Sequence, residues 1–555
     1  MREKILNKIK EMLAELGLPS VAVKLDFPED FAYGAYTTNV AMALGKQVGE
    51  KPVDLAENIA GKLRSNLPAG VGEVKVALPG FINFFLTSEF LASVVSEVNQ
   101  AGKNYGLNNS RVGQKIIIEY TDPNPFKEFH IGHLMSNTIG EAFSRLVETS
   151  GAEVKRACYQ GDVGMHVAKT IWFLRSQKLK DESEKWGVEE LGSAYVTGSK
   201  AYEENDVAKK EIIEINKKVY DRSDEEINKL YDWGRKVSLE YFETIYQKLG
   251  TKFDFYFFES ETGKFGGQLV KENLGKVFEK GENDAVIFPG EKYSLHTRVF
   301  INSEGLPTYE AKELGLAKIK YDKYPYYLSV VVTGNEINEY FKVLLKALSL
   351  IYPDLAVKTK HQSHGMLRLP SGKMSSRSGN VITAEMLIEE AKTMARGNEQ
   401  VAIGAIKYAI LRQAPGKNII FDMAQALSLE GDSGPYLQYA LVRAQAVLSK
   451  ARENFLHDLP FDGPVPSPAK FVDGALEQLL LQYPEVVARA EKELAPQHLT
   501  TYLTALASEF NAFYAKEKIL DAGPASIYRI PLTQAVAQVL HNGLTLLAIP
   551  IPEKM

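Results

Sequence analysis

The sequence predicts a multidomain protein, α/β plus all-α: a small α+β unit, then a doubly wound parallel-sheet unit, then a helix bundle. Three observations predict this. The chain has 555 residues, and single hydrophobic cores stop growing near about 250–300 residues, so two to four domains are expected. From Lys115 to about Leu350, apolar strand-like runs alternate with helical patterns, which is how a parallel sheet with crossover helices reads. From about Ala384 onward the periodicity is helical throughout, as in a bundle. Hydrophobic residues at 45% and charged ones at 24% exclude disordered and collagen-like classes.

Taken in order, MREKILNKIKEML spaces apolar residues at helical intervals, so a first helix runs to about Leu16. KPVDLAENIAGKLRSNL makes a second helix, VGEVKVAL and FINFFL two short strands, and a further helix ends near Ala101. The Gly- and Asn-rich AGKNYGLNNS is a connector and sets the first boundary, giving a unit of residues 1–110. Asn108-Asn109-Ser110 has the glycosylation pattern, but no apolar secretory h-region precedes it, so it reads as coincidence. The next unit, 111–384, holds the strand KIIIEYT, the helix after His130, the strand EVKRACYQ, and the strand YYLSVVVT before the helix NEINEYFKVLLKALSL. A charged helical insertion is expected within it at about 170–249. Residues 385–555 form the bundle, interrupted by the loop DLPFDGPVPSPAK.

No run of about 18 apolar residues occurs, so no membrane association is expected. The single Cys158 cannot form an internal disulfide and suits a reducing, cytoplasmic setting. It also leaves no thiolate zinc site, and no bound structural metal is expected. The net charge of −5 gives no global mark of a nucleic-acid binder. Any RNA surface must be local.

Two segments carry chemistry. In EYTDPNPFKEFHIGHLMSNTIGEAF an apolar strand enters a Pro-interrupted loop and then a helix. Ligands bind at the carboxyl ends of such strands, and a helix N-terminus favours anions. His130 and His133, three apart, are expected on one helix face, each donating to phosphate oxygens. Gly132 is expected to let a nucleotide ring approach the backbone. The second segment, HGMLRLPSGKMSSRSGNVIT, is a Gly- and Ser-rich loop in which Lys373 and Arg377 flank Met374-Ser375-Ser376. Such a loop can close over a triphosphate and meet the charge developing on pyrophosphate. A HIGH sequence followed by a KMSK-like loop is a specific pair.

On these residues the chain resembles the class I aminoacyl-tRNA synthetases, and among them the arginyl-tRNA synthetases. The resemblance spans nearly the whole chain. It is carried by Asp122-Pro123-Asn124 before HIGH, Gly161-Asp162-Val163-Gly164, FDFYFFES, LPTYEAKELGLA, LSLEGDSGPYLQYALVRAQ and the closing LLAIPIPEKM. It implies a class I Rossmann-like catalytic domain, an N-terminal domain contacting the tRNA elbow, and a C-terminal anticodon-binding bundle. It also implies ligation of L-arginine to arginine tRNA through an adenylate, with ATP and Mg²⁺ as co-substrate and a monomeric protein.

The resemblance further implies residue roles. Glu119 and Asn124 would face the amino acid's α-amino group and carboxylate, and Glu259, Tyr309 and Glu313 its guanidinium. His130, Gly132, His133, Lys373, Met374, Ser375, Ser376 and Arg377 would meet ATP, and Tyr514 and Met555 the anticodon. The sequence departs from the family pattern at three places: Ser376 stands for the last Lys of KMSK, Glu313 for an Asp, and Ile337 for a Gln. Lys127, just before HIGH, is expected to take over the missing lysine's catalytic role beside His130, His133 and Lys373. Two rivals share the phosphate chemistry or the scaffold: an HxGH nucleotidyltransferase, which would not need the long helical end, and a non-catalytic RNA-binding relative, against which intact His130, His133 and Lys373 argue.

Overall fold

The computed structural model describes residues 1–177, 187–368, 382–454 and 474–555. The N-terminal unit begins with α1 (Arg2–Glu15), followed by β1 (Tyr36–Thr38), α2 (Val40–Val48), α3 (Pro52–Ser65), β2 (Val71–Ala77) and β3 (Phe81–Leu86). Its strands form an antiparallel sheet in the order β1-β3-β2. Ile5, Ile9, Leu55, Ile59 and Phe84 close a separate core. Pro52 opens α3 at a position where its missing N–H costs nothing. The sequence reading missed α2, a nine-residue helix between Asn39 and a left-handed Gly49, although both flanking residues are ordinary helix-end signals. Next comes α4 (Ser88–Ala101), capped by Thr87, whose Oγ1 accepts the Phe90 N–H at 3.2 Å.

The central sheet starts with β4 (Lys115–Glu119), α5 (Ile131–Glu148) and β5 (Glu153–Gln160). Between β5 and β6 (Phe255–Phe258) lie α6 (Met165–Ser176), α7 (Val188–Glu204), α8 (Asp206–Asp221) and α9 (Glu225–Leu249), the helical insertion expected from sequence. Then follow α10 (Glu259–Glu272), a small antiparallel sheet of β7 (Glu279–Lys280), β8 (Val286–Phe288) and β9 (Arg298–Ile301), and α11 (Tyr309–Lys323). The unit continues with β10 (Leu328–Gly334), α12 (Asn338–Ile351), α13 (Pro353–Lys358) and β11 (Thr359–His364). The order β11-β10-β4-β5-β6 is parallel throughout, with Ile117 opposite Ser329 on one side and Lys155 on the other. Chain order reverses at β4. The crevice outside its carboxyl end is therefore where such a sheet takes a ligand.

The C-terminal part comprises β12 (Leu367–Arg368), α14 (Ala384–Met394), α15 (Glu399–Leu411), β13 (Ile419–Ile420), α16 (Met423–Ala426), α17 (Gly434–Asn454), α18 (Ala475–Glu493), α19 (Gln497–Lys516) and α20 (Ser526–Leu546). The short parallel pair β12–β13 departs from the all-helical expectation. The interrupting loop expected after α17 lies outside the described residues. The bundle has no core of its own: Ile116, Leu134, Phe143 and Val330 of the sheet and α5 share one buried cluster with Ile406, Leu437, Leu503 and Leu540. Polar ties cross the same junction. Arg145 of α5 donates to the carbonyls of Thr545 at 2.8 Å and Gly250 at 3.0 Å.

Candidate active site

The loop leaving β4 puts three non-glycine residues in the left-handed region, Thr121 (φ 82°), Asp122 (φ 47°) and Phe126 (φ 69°). Such conformations persist only where surroundings over-determine them, and here each is held. The Thr121 N–H donates to Ser136 Oγ at 2.9 Å, Asp122 Oδ1 accepts the Tyr159 N–H at 2.7 Å, and the Phe126 N–H donates to Ser238 Oγ at 2.8 Å. The loop is thus fastened to α5, β5 and α9 before it reaches the histidines.

His130 is the N-cap of α5 and lies just outside the helix, not on its face as expected. Its Nδ1 accepts the N–H groups of Gly132 (3.1 Å) and His133 (3.3 Å), and His133 Nδ1 accepts the His130 N–H at 3.3 Å. The two rings stack with centroids 3.5 Å apart. With both Nδ1 atoms spent as acceptors, the proton of each neutral ring belongs on Nε2, which becomes a donor. Burial, reinforced by Lys127, lowers His130 to about 4; burial, His130 and Lys127 hold His133 well below the ordinary histidine range. Both are therefore neutral N–H donors at neutral pH. The role expected for Gly132 also changes: a Cβ there would sit 2.9 Å from His130 Cε1 and 3.0 Å from its Nδ1, so glycine makes room for the capping imidazole itself.

The Lys127 ammonium lies 4.7 Å over the ring of Tyr195 on α7, which links the insertion to the HIGH turn. Lys373, Met374, Ser375, Ser376 and Arg377 lie outside the described residues. The strand-like stem that follows them does touch the site: Thr383 bridges to His130, and the Ala384 N–H donates to the Phe129 carbonyl at 2.8 Å.

On the opposite side α11 presents Tyr309, Lys312, Glu313 and Lys320 along one stripe, at i, i+3, i+4 and i+11. It packs closely on α10, where a Cβ on Gly266 would fall 1.8 Å from the Ala311 carbonyl oxygen. This contact sets Glu259, the first residue of α10, against α11. Lys312 Nζ donates to Glu259 Oε2 at 2.6 Å and Lys320 Nζ to Glu119 Oε2 at 2.6 Å, and all four side chains are buried. Glu119 Oε1, equally buried, has no hydrogen-bond partner among the described residues. Asn124 and Glu259 meet over Gly161, where a Cβ would lie 2.2 Å from Asn124 Oδ1 and 3.3 Å from Glu259 Oε1.

Burial and the nearby Glu119 charge push the Glu313 carboxyl up to about 8, with Lys320 opposing and Glu259 adding to the rise. Burial and Glu119 likewise raise Asp122. For Glu259, burial raises the carboxyl while Lys312 pulls it back. Tyr309 is exposed at the pocket mouth (59%), 5.1 Å from the Lys312 ammonium. Ile337 is half-buried against the core beside α12.

The structure thus brings together Glu119, Asn124, Lys127, His130, Gly132, His133, Glu259, Tyr309 and Glu313 around the carboxyl ends of β4, β5 and β6. Tyr514 is elsewhere, on α19, where the Arg443 guanidinium lies 4.8 Å over its ring beside a groove of about 530 Å³. Met555 is exposed at the chain end. The sequence reading missed Lys312 and Lys320 as pocket residues. It named the Gly161–Gly164 run but not what Asp162 does: buried, it accepts from Tyr231 Oη (2.8 Å), Arg235 Nε (3.1 Å), and Ser260 through both N–H (2.9 Å) and Oγ (2.7 Å). It thereby fixes the start of α10 to β5 and the insertion. A polar residue between two glycines just past a strand was the available signal.

A parallel sheet that switches direction at β4, with neutral imidazole donors on one side of the crevice and buried carboxylates on the other, defines a class I aminoacyl-tRNA synthetase. Residues 94–401 match the family model for tRNA synthetases class I (R), catalytic domain; residues 437–555 match the DALR anticodon binding domain, and residues 3–86 the arginyl tRNA synthetase N terminal domain. The arginine–tRNA ligase of Treponema denticola is 31% identical over 92% of this chain and 91% of its own. That of Bacteroides thetaiotaomicron is 28% identical over 99% and 98%. The solved arginyl-tRNA synthetase of Thermus thermophilus superposes with a TM-score of 0.79 at 25% identity, covering 100% of both chains. The chain belongs to the arginyl-tRNA synthetase family.

Proposed function

We propose that the crevice at β4 joins L-arginine to arginine tRNA in two transfers. The arginine carboxylate attacks the α-phosphate of ATP and expels pyrophosphate; the terminal ribose hydroxyl of the tRNA then attacks the adenylate carbonyl and releases AMP. Neither step needs a protein nucleophile, so catalysis rests on positioning and on donors aimed at developing charge. His130 and His133 supply Nε2–H donors to the phosphates. Lys127 supplies a fixed cation beside them, and Lys373 with its loop the second. Glu119 and Asn124 receive the amino acid's backbone groups, and Glu259, Glu313 and Tyr309 its guanidinium.

The observation that carries this reading is the tying of both imidazole Nδ1 atoms to backbone N–H groups. It leaves donors, not metal ligands, at the phosphate side. Mg²⁺ would therefore enter held by the ATP phosphates. Tyr514, Arg443 and Met555 on the bundle are proposed for the anticodon, and residues 1–110 for the tRNA elbow. The protein is proposed to act as a monomer. Among the described residues, no helix is long and apolar enough to cross a membrane.

ATP–pyrophosphate exchange with each standard amino acid, with and without arginine tRNA, tests the proposal. Exchange with arginine, dependent on the tRNA, is the expected result. Exchange with another amino acid, or none with arginine plus tRNA, would overturn it.

A further inference from the structure

The carboxylate expected to receive a guanidinium already has a cation on it. Lys312 Nζ takes Glu259 Oε2 at 2.6 Å, with both side chains 5% exposed. The same ammonium lies 5.1 Å from the ring of Tyr309 and 5.4 Å from that of Tyr220 on α8. Glu259 Oε1 faces the other way, toward Asn124 and the Gly161 backbone. Among the described residues Glu313, the next residue along α11, forms no ion pair of its own, the nearby Lys320 being bonded to Glu119. The pocket is thus charge-compensated by a group of the chain at the point where the substrate's charge is to be read.

We propose that Lys312 is a resident counter-ion of the guanidinium site, displaced from Glu259 when arginine binds, and that this exchange sets an affinity threshold that arginine crosses and aliphatic amines do not. The inference rests on the assignment of Glu259 to the guanidinium. A free lysine or ornithine offers an ammonium, so its exchange with Lys312 replaces one point charge by an identical one and gains no bond. Arginine's planar fork adds a second parallel N–H···O bond that an ammonium cannot make. The displaced Lys312 ammonium keeps a place over the faces of Tyr309 and Tyr220, where a cation is attracted to the ring. Lys312 therefore acts as a threshold, which only a ligand with more donors than its own crosses at a gain.

Lys312→Met removes the competitor and keeps the volume. By titration calorimetry on the full-length chain, arginine should bind about tenfold more tightly, and lysine and ornithine should gain by a similar factor. Lysine and ornithine, expected to give no measurable heat with the parent, should then register, while the affinity for ATP holds. A residue that merely supports Glu259 would give the opposite sign, weaker arginine binding, and that result or unchanged affinities overturn the proposal. A second measurement needs no variant: in a crystal structure of the wild-type enzyme with arginine, the Lys312–Glu259 bond should be broken, and its survival at hydrogen-bond distance refutes displacement. Glu259→Gln in the same titration separates the two levels of argument. If it leaves arginine affinity untouched, the assignment of Glu259 itself fails. If it weakens arginine while Lys312→Met behaves as the wild type, only the role of Lys312 fails.

Discussion

In the proposed amino-acid pocket Lys312 and Lys320 bury their ammonium groups against Glu259 and Glu119, each at 2.6 Å. Behind the HIGH helix, Lys407 of α15 buries its amine against two backbone carbonyls, Leu249 at 2.6 Å and Ala548 at 2.8 Å. The electrostatic consequences are opposite. Burial would lower the pocket lysines, but Glu259 and Glu119 hold both above the ordinary lysine range. Among the described residues Lys407 is bonded to no carboxylate; burial and Arg145 lower it to about 7, with Glu141 opposing. One region stores paired charge that a charged substrate can rearrange. The other uses lysine as a tie, about half ionised at pH 7, between the insertion and the end of the chain. Two acceptors match the two N–H donors of a neutral amine.

The sharpest way to break this comparison is to remove a pocket cation. Lys320→Met should strand a buried Glu119 whose other oxygen is already unpartnered. The expected loss is about 3–5 kcal/mol of unfolding free energy by denaturant titration, the usual cost of splitting a buried pair. Lys320→Met with Glu119→Gln should recover most of it, and a single variant as stable as the parent would mean that the buried pair does not stabilise the fold. Next in size is Glu259→Gln, which keeps the shape but leaves both Lys312 and the incoming guanidinium short of a charge. Steady-state aminoacylation should show kcat/KM for arginine lower by about two to three orders of magnitude. A loss under about threefold would remove Glu259 from the guanidinium site.

What the sequence could reveal follows from the same contrast. β4 and β10 were legible because Ile116–Ile118 and Val330–Val332 are buried on both faces and read as continuous apolar runs. The edge strand β11 was not, since TKHQSH is polar and half-exposed. The strands β7 to β9 are too short, at two to four residues, to show a period. In the site, the motifs located His130, His133, Glu119 and Glu259, but not what neutralises them. Lys312 and Lys320 lie in YEAKELGLAKIKYDK, where charges recur on every side and resemble a solvated surface. Only burial against partners more than fifty residues away in sequence makes them pocket residues. The capping role of His130 was hidden too, because a histidine is an unusual N-cap.

Glu313 offers a smaller effect that sharpens the charge-storing side. Its carboxyl, up at about 8, faces Glu119 from β4, Glu259 from α10, Lys320 from α11 and Asp122 from the loop after β4. In the empty site it is largely protonated at pH 7, and a bound guanidinium favours the ionised form. Arginine binding should therefore release a proton below about pH 8, and the affinity should rise about tenfold between pH 7 and pH 9. Calorimetry in buffers of different ionisation enthalpy measures that proton. Glu313→Gln should abolish both the release and this part of the pH dependence, whereas Glu313→Asp should keep them and change kcat/KM by at most about tenfold. A pH-independent affinity in the parent would show that Glu313 is already ionised in the empty pocket.

Lys407 gives the smallest effect, and its sign distinguishes the two ways of burying lysine. In the unfolded chain the amine titrates near its ordinary 10.5; in the folded protein it loses its proton near 7. Between these values the unfolded state binds the extra proton, so unfolding free energy should rise with pH through this window and fall as pH drops toward 7. A lysine held by a carboxylate, with its titration raised, would give the opposite slope at alkaline pH. Compared with Lys407→Met, which cannot titrate but leaves the Leu249 and Ala548 carbonyls without their donor, the parent should gain about 1 kcal/mol in relative stability between pH 7 and pH 8. Parallel denaturant titrations of the two proteins across that interval measure the gain, and the difference removes every other titrating group common to both. A constant gap would mean that Lys407 stays an ammonium when folded. The junction behind α5 would then be stabilised as the pocket is, by a charge whose partner must be sought among Glu141 and its neighbours.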